Sequence, residues 1–299
     1  MRAARFSSFG GPEVLEIVDV PEPHPGPGEI RIAVRAAGIN PVDWKFRQGM
    51  MGSDLPSGTG YDAAGVIDEL GDGVAGVAVD DEVFGQGRDV AAQFAVLTQW
   101  ARVPAGLNFT AAAGLPMAVE TATRGLDLLG VGDGDTVLVN GASGGVGSAA
   151  VQIARERGAR VIGTASEPNH EYLRSLGAEV VTYGEGLAER VRALVPDGVD
   201  AAFDVAGGGQ LPALVELAGG TRRVLTIADF AGAEENGVQV SVGPGTEMAY
   251  HAIREIVPVI EAGHFSLPVS RTFPLEEIAE AHRASEGGHV RGKLVLVVE

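Results

Sequence analysis

The chain contains no cysteine, which excludes disulfides, thiolate-bound zinc and iron–sulfur clusters. Basic residues are few: 22 Lys and Arg stand against 40 Asp and Glu, a formal charge of −18. Such a surface repels phosphate-rich partners, so it argues against nucleic acid and anionic membranes and for solubility. No apolar run approaches the roughly 18–20 residues of a membrane helix. The start, MRAARFSSFGGPEVL, lacks the apolar stretch of a signal peptide, so the cytoplasm is the expected location. The six histidines are scattered without metal-site spacing, and no metal site is expected.

What is present is a globular composition, with 45% hydrophobic and 21% charged residues over 299 positions, enough for two domains. The stretch from Thr136 to Ser166, TVLVN-GASGGVG-SAAVQIARERGAR-VIGTAS, reads as strand, glycine turn, helix and strand. Val146, Ala149, Ala150, Ile153 and Ala154 recur at helical spacing, and Gly158 stops the helix. A glycine turn entering a helix gathers unpaired N–H groups and the positive dipole end, which suits a diphosphate. Gly144 and Gly147 match the second and third glycines of G-x-G-x-x-G, with Ala142 in the first place and Gly141 one position earlier. With so negative a chain, a dinucleotide must be held by local N–H groups and a few placed cations.

Apolar and polar residues alternate in Val14–Val18 and Ile30–Val34, the mark of an antiparallel sheet with one wet face. Short strands are also expected at Val66-Ile67, Val77–Val83 and Phe94–Val103, so the first part is β-rich. From 136 to 227 strands and helices alternate, the signature of a doubly wound parallel sheet. The strands fall at 136–140, 160–164, 179–182, 199–204 and 222–227; Val238–Val242 is a possible sixth. A helix is expected near Met248–Glu261, then an amphipathic helix at Leu275–Ala284 and a terminal strand at Leu294–Val298. Gly287, Gly292 and Lys293 open like a P-loop, but Leu294 and a strand follow, so that reading fails. These patterns divide the chain into a β-rich part at 1–117 and 262–299 and a dinucleotide-binding part at 118–261.

The segments AAGINPVDWKFRQG, SGTGYDAAGVI, DDEVFGQG, GASGGVGSAAVQIA, YLRSLGAEVV and GGHVRGKLVLVV, in this order, resemble the medium-chain dehydrogenase/reductase superfamily. Within it they are similar to the zinc-free, zeta-crystallin-like quinone oxidoreductases. The resemblance implies an α/β chain: a Rossmann doubly wound parallel sheet plus a β-rich GroES-like domain. It also implies a homodimer and an NADPH-dependent enzyme that passes hydride to quinones. The zinc-dependent relatives carry cysteine at the position of Asn40 and histidine–glutamate at Tyr61-Asp62. Without those ligands alcohol oxidation is disfavoured and reduction of an electrophilic acceptor is expected. Reduction of an enone or enoyl double bond is a second reading, and a cofactor-binding protein with little turnover a third.

The resemblance also names residues. Ser143, Gly144, Gly145 and Val146 form the diphosphate turn. Thr121 stands beside the nicotinamide or else caps a helix start. Ser166, after uncharged Ala165, sits where an NAD enzyme presents a carboxylate to the ribose, which favours NADP(H). Glu167 replaces the basic residue that relatives add there. Tyr183 packs near the 2′-phosphate, Ala206 and Ile227-Ala228 follow strand ends, and Asp229 contacts ribose or caps a loop. Lys293 supplies charge for the cofactor or is a solvated lysine. Asn40 donates to the substrate carbonyl or only shapes the turn before Pro41. Tyr61 gives a proton to the product or stacks in the cleft, and Asp43 holds its loop.

Overall fold

The computed structural model describes residues 1–52, 54–242 and 246–299; the sequence of the Met50–Pro56 loop, read as pocket-lining, carries no recognisable substrate code, and its Ser53 lies outside the described residues. In chain order the elements begin with β1 (Arg2–Phe6), β2 (Glu16–Asp19), β3 (Ile30–Ile39), α1 (Pro41–Arg47), β4 (Ser57–Gly58) and β5 (Asp62–Leu70). Then come β6 (Glu82–Gly87), β7 (Phe94–Arg102), α2 (Phe109–Ala113) and α3 (Pro116–Leu128). The alternating region holds β8 (Thr136–Asn140), α4 (Gly145–Glu156), β9 (Arg160–Thr164), α5 (His170–Ser175), β10 (Glu179–Val181) and α6 (Leu187–Leu194). It continues with β11 (Ala201–Asp204), α7 (Leu211–Leu217), β12 (Val224–Thr226), α8 (Phe230–Asn236) and β13 (Gln239–Val240). The chain closes with α9 (Ala252–Glu261), β14 (Val269–Pro274), α10 (Ile278–Glu286) and β15 (Lys293–Val297).

The chain divides into two compact units, Met1–Met117 with Tyr250–Glu299, and Ala118–Ala249. In the first, six strands run in the order β14-β15-β3-β5-β6-β7, and β7 also pairs with β3, so the sheet curls back on itself. Its core is aliphatic and aromatic, with Ile30, Ile32, Ile67, Leu97, Phe6 and Phe273 buried together. Helix α1 starts where Asp43 Oδ2 accepts the Asn40 N–H at 2.7 Å and Pro41 fills the first turn, a reciprocal cap at a proline start.

The second unit is a six-stranded sheet in the order β10-β9-β8-β11-β12-β13, every pairing parallel. Strands such as TVLVN and AAFD are buried along nearly their whole length, as strands covered on both faces must be. The order turns at β8, since the chain moves outward to β9 and β10 and then back to β11. That is the switch point at which open α/β sheets receive ligands.

Several elements differ from expectation. The return to the first unit begins at Tyr250 rather than 262, because α9 packs on β7 and Arg254 Nε donates to the Trp100 carbonyl at 3.1 Å. The strand expected at Val77–Val83 begins only at Glu82, since Asp80 turns the chain with φ 75°. The apolar stretch after Thr110 is two helices, parted at Gly114-Leu115 before Pro116. Helix α8 was not expected; Asp229 starts it by accepting the Gly232 N–H at 2.9 Å. Among the described residues no helix is long and apolar enough to cross a membrane.

Candidate active site

In the second unit the glycine turn links β8 to α4. Gly141 takes φ 84°, and a Cβ there would lie 2.4 Å from the Ala206 Cβ. The residue that makes the tight turn is therefore Gly141, while Ala142 is buried with its N–H donated to the Thr164 carbonyl at 3.0 Å. A Cβ on Gly147 would sit 2.3 Å from the Gly141 carbonyl oxygen, so the third glycine lets helix meet turn. A Cβ on Gly144 would touch only that oxygen, at 3.7 Å. The space before Gly144 is open, and the first intrahelical bond runs from the Ser148 N–H to the Gly144 carbonyl at 2.9 Å. The N–H groups of Gly145, Val146 and Gly147 precede that bond and are the orphan donors of the helix start. Together with Ser143 they fit a dinucleotide diphosphate.

Behind the turn, a buried row of polar side chains crosses four strand ends. Thr164 Oγ1 donates to Asn140 Oδ1 at 2.7 Å, Asn140 Nδ2 donates to Asp204 Oδ1 at 2.8 Å, and Thr226 Oγ1 donates to Asp204 Oδ2 at 2.7 Å. Asn140 pairs in register with both Thr164 and Asp204, and Asp204 with Thr226. Thr164 Oγ1 also accepts the Gly141 N–H at 3.0 Å, and Asp204 Oδ1 accepts the Gly207 N–H at 2.8 Å. The row thus locks the glycine turn and the loop after β11 in place. Sequence reasoning missed these four residues. The signal was there: VLVN, VIGT, AAFD and VLT each end an apolar run on a polar residue.

Other expected cofactor residues lie past the same carboxyl ends. Ser166 follows β9, and its Oγ accepts from Asn169 Nδ2 at 3.2 Å, which leaves its own O–H to donate. Tyr183 follows β10 and is exposed, its carbonyl held by Arg190 Nη2 at 3.3 Å. Ala206 follows β11, and Ile227-Ala228 follow β12, with the Ala228 N–H donated to Thr226 Oγ1 at 3.1 Å. Asp229 caps α8, so its carboxylate is engaged there. Thr121 is inside α3 rather than at a helix start. Its hydroxyl donates to buried Glu120 at 3.1 Å, within a network that also holds Arg124.

In the first unit, Asn40 and Lys293 come together although one precedes α1 and the other begins β15. Lys293 Nζ donates to Asn40 Oδ1 and lies 3.7 Å from Asp62 Oδ2; Asn40 Nδ2 donates to Asp62 Oδ2 at 3.0 Å. Asp62 also accepts from Gln86 Nε2 at 3.1 Å and from the Met117 N–H at 3.0 Å. All three of Asn40, Asp62 and Lys293 are buried. Burial pushes the Asp62 carboxyl above its ordinary range and the Lys293 ammonium below, while their mutual attraction opposes both shifts. Lys293 is accordingly not the solvated lysine of the alternative reading, and its ammonium is spent inside the unit. Asn40 has its oxygen and one N–H engaged by neighbours, so its expected donation to substrate has a single N–H left.

Tyr61 lies beside this network, half-buried on the wall of a cavity of about 500 Å³ that Asp43, Phe46, Thr59 and Arg88 also line. Burial first, then the nearby Asp43, hold its phenol above the usual tyrosine range. It stays protonated and can donate.

Residues 26–112 match the alcohol dehydrogenase GroES-like domain family, and residues 176–296 the zinc-binding dehydrogenase family. The quinone oxidoreductase of Mus musculus is 32% identical over 324 residues, spanning 100% of this chain and 98% of the mouse protein. The chain belongs to the quinone oxidoreductases of the medium-chain dehydrogenase/reductase superfamily. A 2-methylene-furan-3-one reductase of Solanum lycopersicum is 32% identical over 317 residues, 99% of this chain and 79% of the tomato protein. A mycobacterial protein solved in complex with NADPH superposes with a TM-score of 0.87 at 28% identity, covering 99% of this chain and 100% of that one.

This quinone oxidoreductase family member is an oxidoreductase with a nicotinamide cofactor, for which the Gly141–Gly147 turn is the fitting seat. A zinc ion fits less well. Asn40 and Tyr61 stand where the resemblance puts cysteine and histidine, and Asn40, with Asp62 next to Tyr61 in sequence, is already joined to Lys293. Among the described residues no group of three or more His, Cys, Asp or Glu could hold a metal ion.

Proposed function

We propose that this protein is a zinc-independent, NADPH-dependent reductase of quinones and related electrophilic carbonyl acceptors. The observation that carries the reading is the Lys293 ammonium on Asn40 and beside Asp62. A fixed protein cation satisfies the buried acid that would otherwise stand behind a metal. With no Lewis acid to ionise an alcohol, hydride flow towards an already polarised carbonyl is favoured. When bound, the reduced nicotinamide supplies the hydride.

Preference for NADPH over NADH rests on the end of β9. Ala165 and Ser166 offer no carboxylate to repel a 2′-phosphate, and the Ser166 O–H is free to donate. The names of a tomato relative, 2-methylene-furan-3-one reductase, and of an Arabidopsis thaliana relative, NADPH-dependent alkenal/one oxidoreductase, support enones as a second acceptor class. A homodimer completes the proposal by family resemblance.

Steady-state NADPH oxidation with a quinone panel and an enone panel tests the reading. Turnover on at least one panel is expected. NADPH binding without turnover on either would overturn it and leave a cofactor-binding protein. Ser166→Ala is expected to weaken NADPH more than NADH, and equal losses would overturn the cofactor assignment.

A further inference from the structure

Strands β9 and β10 end side by side in the second unit. They pair in parallel with Thr164 opposite Val181, and the Ala165 N–H extends the ladder to the Val181 carbonyl at 3.1 Å. Neighbouring strands lie about 4.8 Å apart, so Ala165-Ser166 and Thr182-Tyr183 leave the sheet together. In a doubly wound sheet the adenosine ribose lies past the end of the second strand, here β9, and an arginine nearby accommodates a 2′-phosphate. The β9 side supplies no such cation: Glu167, Pro168, Asn169 and His170 follow Ser166. In a chain of net charge −18, a phosphate dianion needs a placed positive charge to offset the surrounding field.

The β10 side holds one. Arg190, in the first turn of α6, folds back on the loop after β10. Its Nε donates to the Thr182 carbonyl at 2.9 Å, and Nη2 to the carbonyls of Tyr183 and Gly184, each at 3.3 Å. Three carbonyls fix the guanidinium in place without cancelling its charge. No carboxylate pairs with it among the described residues, and its Nη1 has no hydrogen-bond partner among them. A cation in the first turn also opposes the helix dipole. A residue that breaks a local rule while held so firmly is what a functional position shows.

We propose that Arg190 sets the preference for NADPH over NADH, its Nη1 and its charge meeting the 2′-phosphate that the Ser166 hydroxyl approaches from β9. The inference rests on the NADPH reading above. Arginine suits both tasks at once, because one edge of its planar fork can grip the carbonyls while the other takes a phosphate oxygen. Lysine at this position would keep the charge and lose most of the grip. The grip on the loop and the charge towards the phosphate are thus separable.

The test measures NADPH and NADH dissociation constants by fluorescence titration, without any acceptor, for wild type, Arg190→Gln and Arg190→Lys. The two cofactors differ only in the 2′-phosphate. Arg190→Gln is expected to weaken NADPH about 10–100-fold, the range of a hydrogen bond to a charged group, and to leave NADH nearly unchanged. Arg190→Lys is expected to keep most of the preference. Raising the salt concentration should weaken NADPH more than NADH in wild type, and Arg190→Gln should remove that difference. Equal losses for both cofactors in Arg190→Gln would overturn the assignment and leave Arg190 a loop clamp, as would a preference kept in Arg190→Gln or lost equally in Arg190→Lys. A wild type with no preference for NADPH overturns the NADPH reading and this inference with it.

Discussion

The Lys293 ammonium is held by the side-chain oxygen of Asn40, a residue 253 positions earlier in the chain. With Asp62 it forms a buried cation–amide–carboxylate cluster, and removing the cation strands a buried charge. Lys293→Met is expected to lower the unfolding free energy by about 3–5 kcal/mol, the usual cost of breaking a buried pair from one side. Adding Asp62→Asn should recover part of it, because the orphaned carboxylate is then neutral. Urea unfolding of the single and double variants measures both. A loss below about 1 kcal/mol would place the pair among weak surface contacts.

The glycine turn makes a contrast between two neighbouring substitutions. A methyl on Gly147 meets the Gly141 carbonyl oxygen at 2.3 Å and Ala142 Cα at 2.7 Å, all backbone. Gly147→Ala is expected to destabilise the fold by about 1–3 kcal/mol or more. Gly144→Ala meets only one atom, at 3.7 Å, so stability should fall by less than about 1 kcal/mol. Its methyl enters the open space proposed for the diphosphate, and NADPH affinity by fluorescence titration should drop at least about tenfold, or 1.4 kcal/mol. Unchanged affinity in Gly144→Ala would move the diphosphate elsewhere.

His282 is fully buried on α10 with neither ring nitrogen partnered among the described residues. Burial, and then the charge of Arg47, lower its pKa from 6.5 to about 3. The folded state therefore resists a proton that the unfolded state accepts, and stability from neutral His282 is present above pH 6.5 and lost as pH falls towards 3. The slope in that window is up to about 1.4 kcal/mol per pH unit. His282→Leu has no such proton to take up, so its unfolding free energy should fall less steeply below pH 6.5 than that of wild type. Parallel curves would contradict the assignment.

The parallel sheet was legible because its evidence is local: apolar strands such as Val137–Val139 alternate with amphipathic helices, and each element carries its own period. The glycine turn between β8 and α4 was legible for the same reason, although the residue needing the left-handed conformation is Gly141. Elements set by distant partners were not. The helix AIREIVPVIE reads alike whichever unit it packs on, and only its contact with Trp100 on β7 decides. The alternation in Val77–Val83 resembles a strand until Asp80 turns the chain. Asn40 and Lys293 were each singled out separately, one as substrate donor and one for the cofactor. Nothing local to Asn40 shows that Lys293 answers it from the far end of the chain. Asp43 was read as holding its loop, and it does so by accepting the Asn40 N–H at 2.7 Å; its second oxygen, unpartnered among the described residues, carried no local sign.

In the proposed reading the Lys293 ammonium stands in place of a metal. Its most direct test is metal analysis combined with steady-state NADPH oxidation on an enone or quinone before and after exhaustive dialysis against a chelator. No stoichiometric zinc and an unchanged rate are expected. One zinc per chain, with activity lost on chelation and restored by zinc, would contradict it.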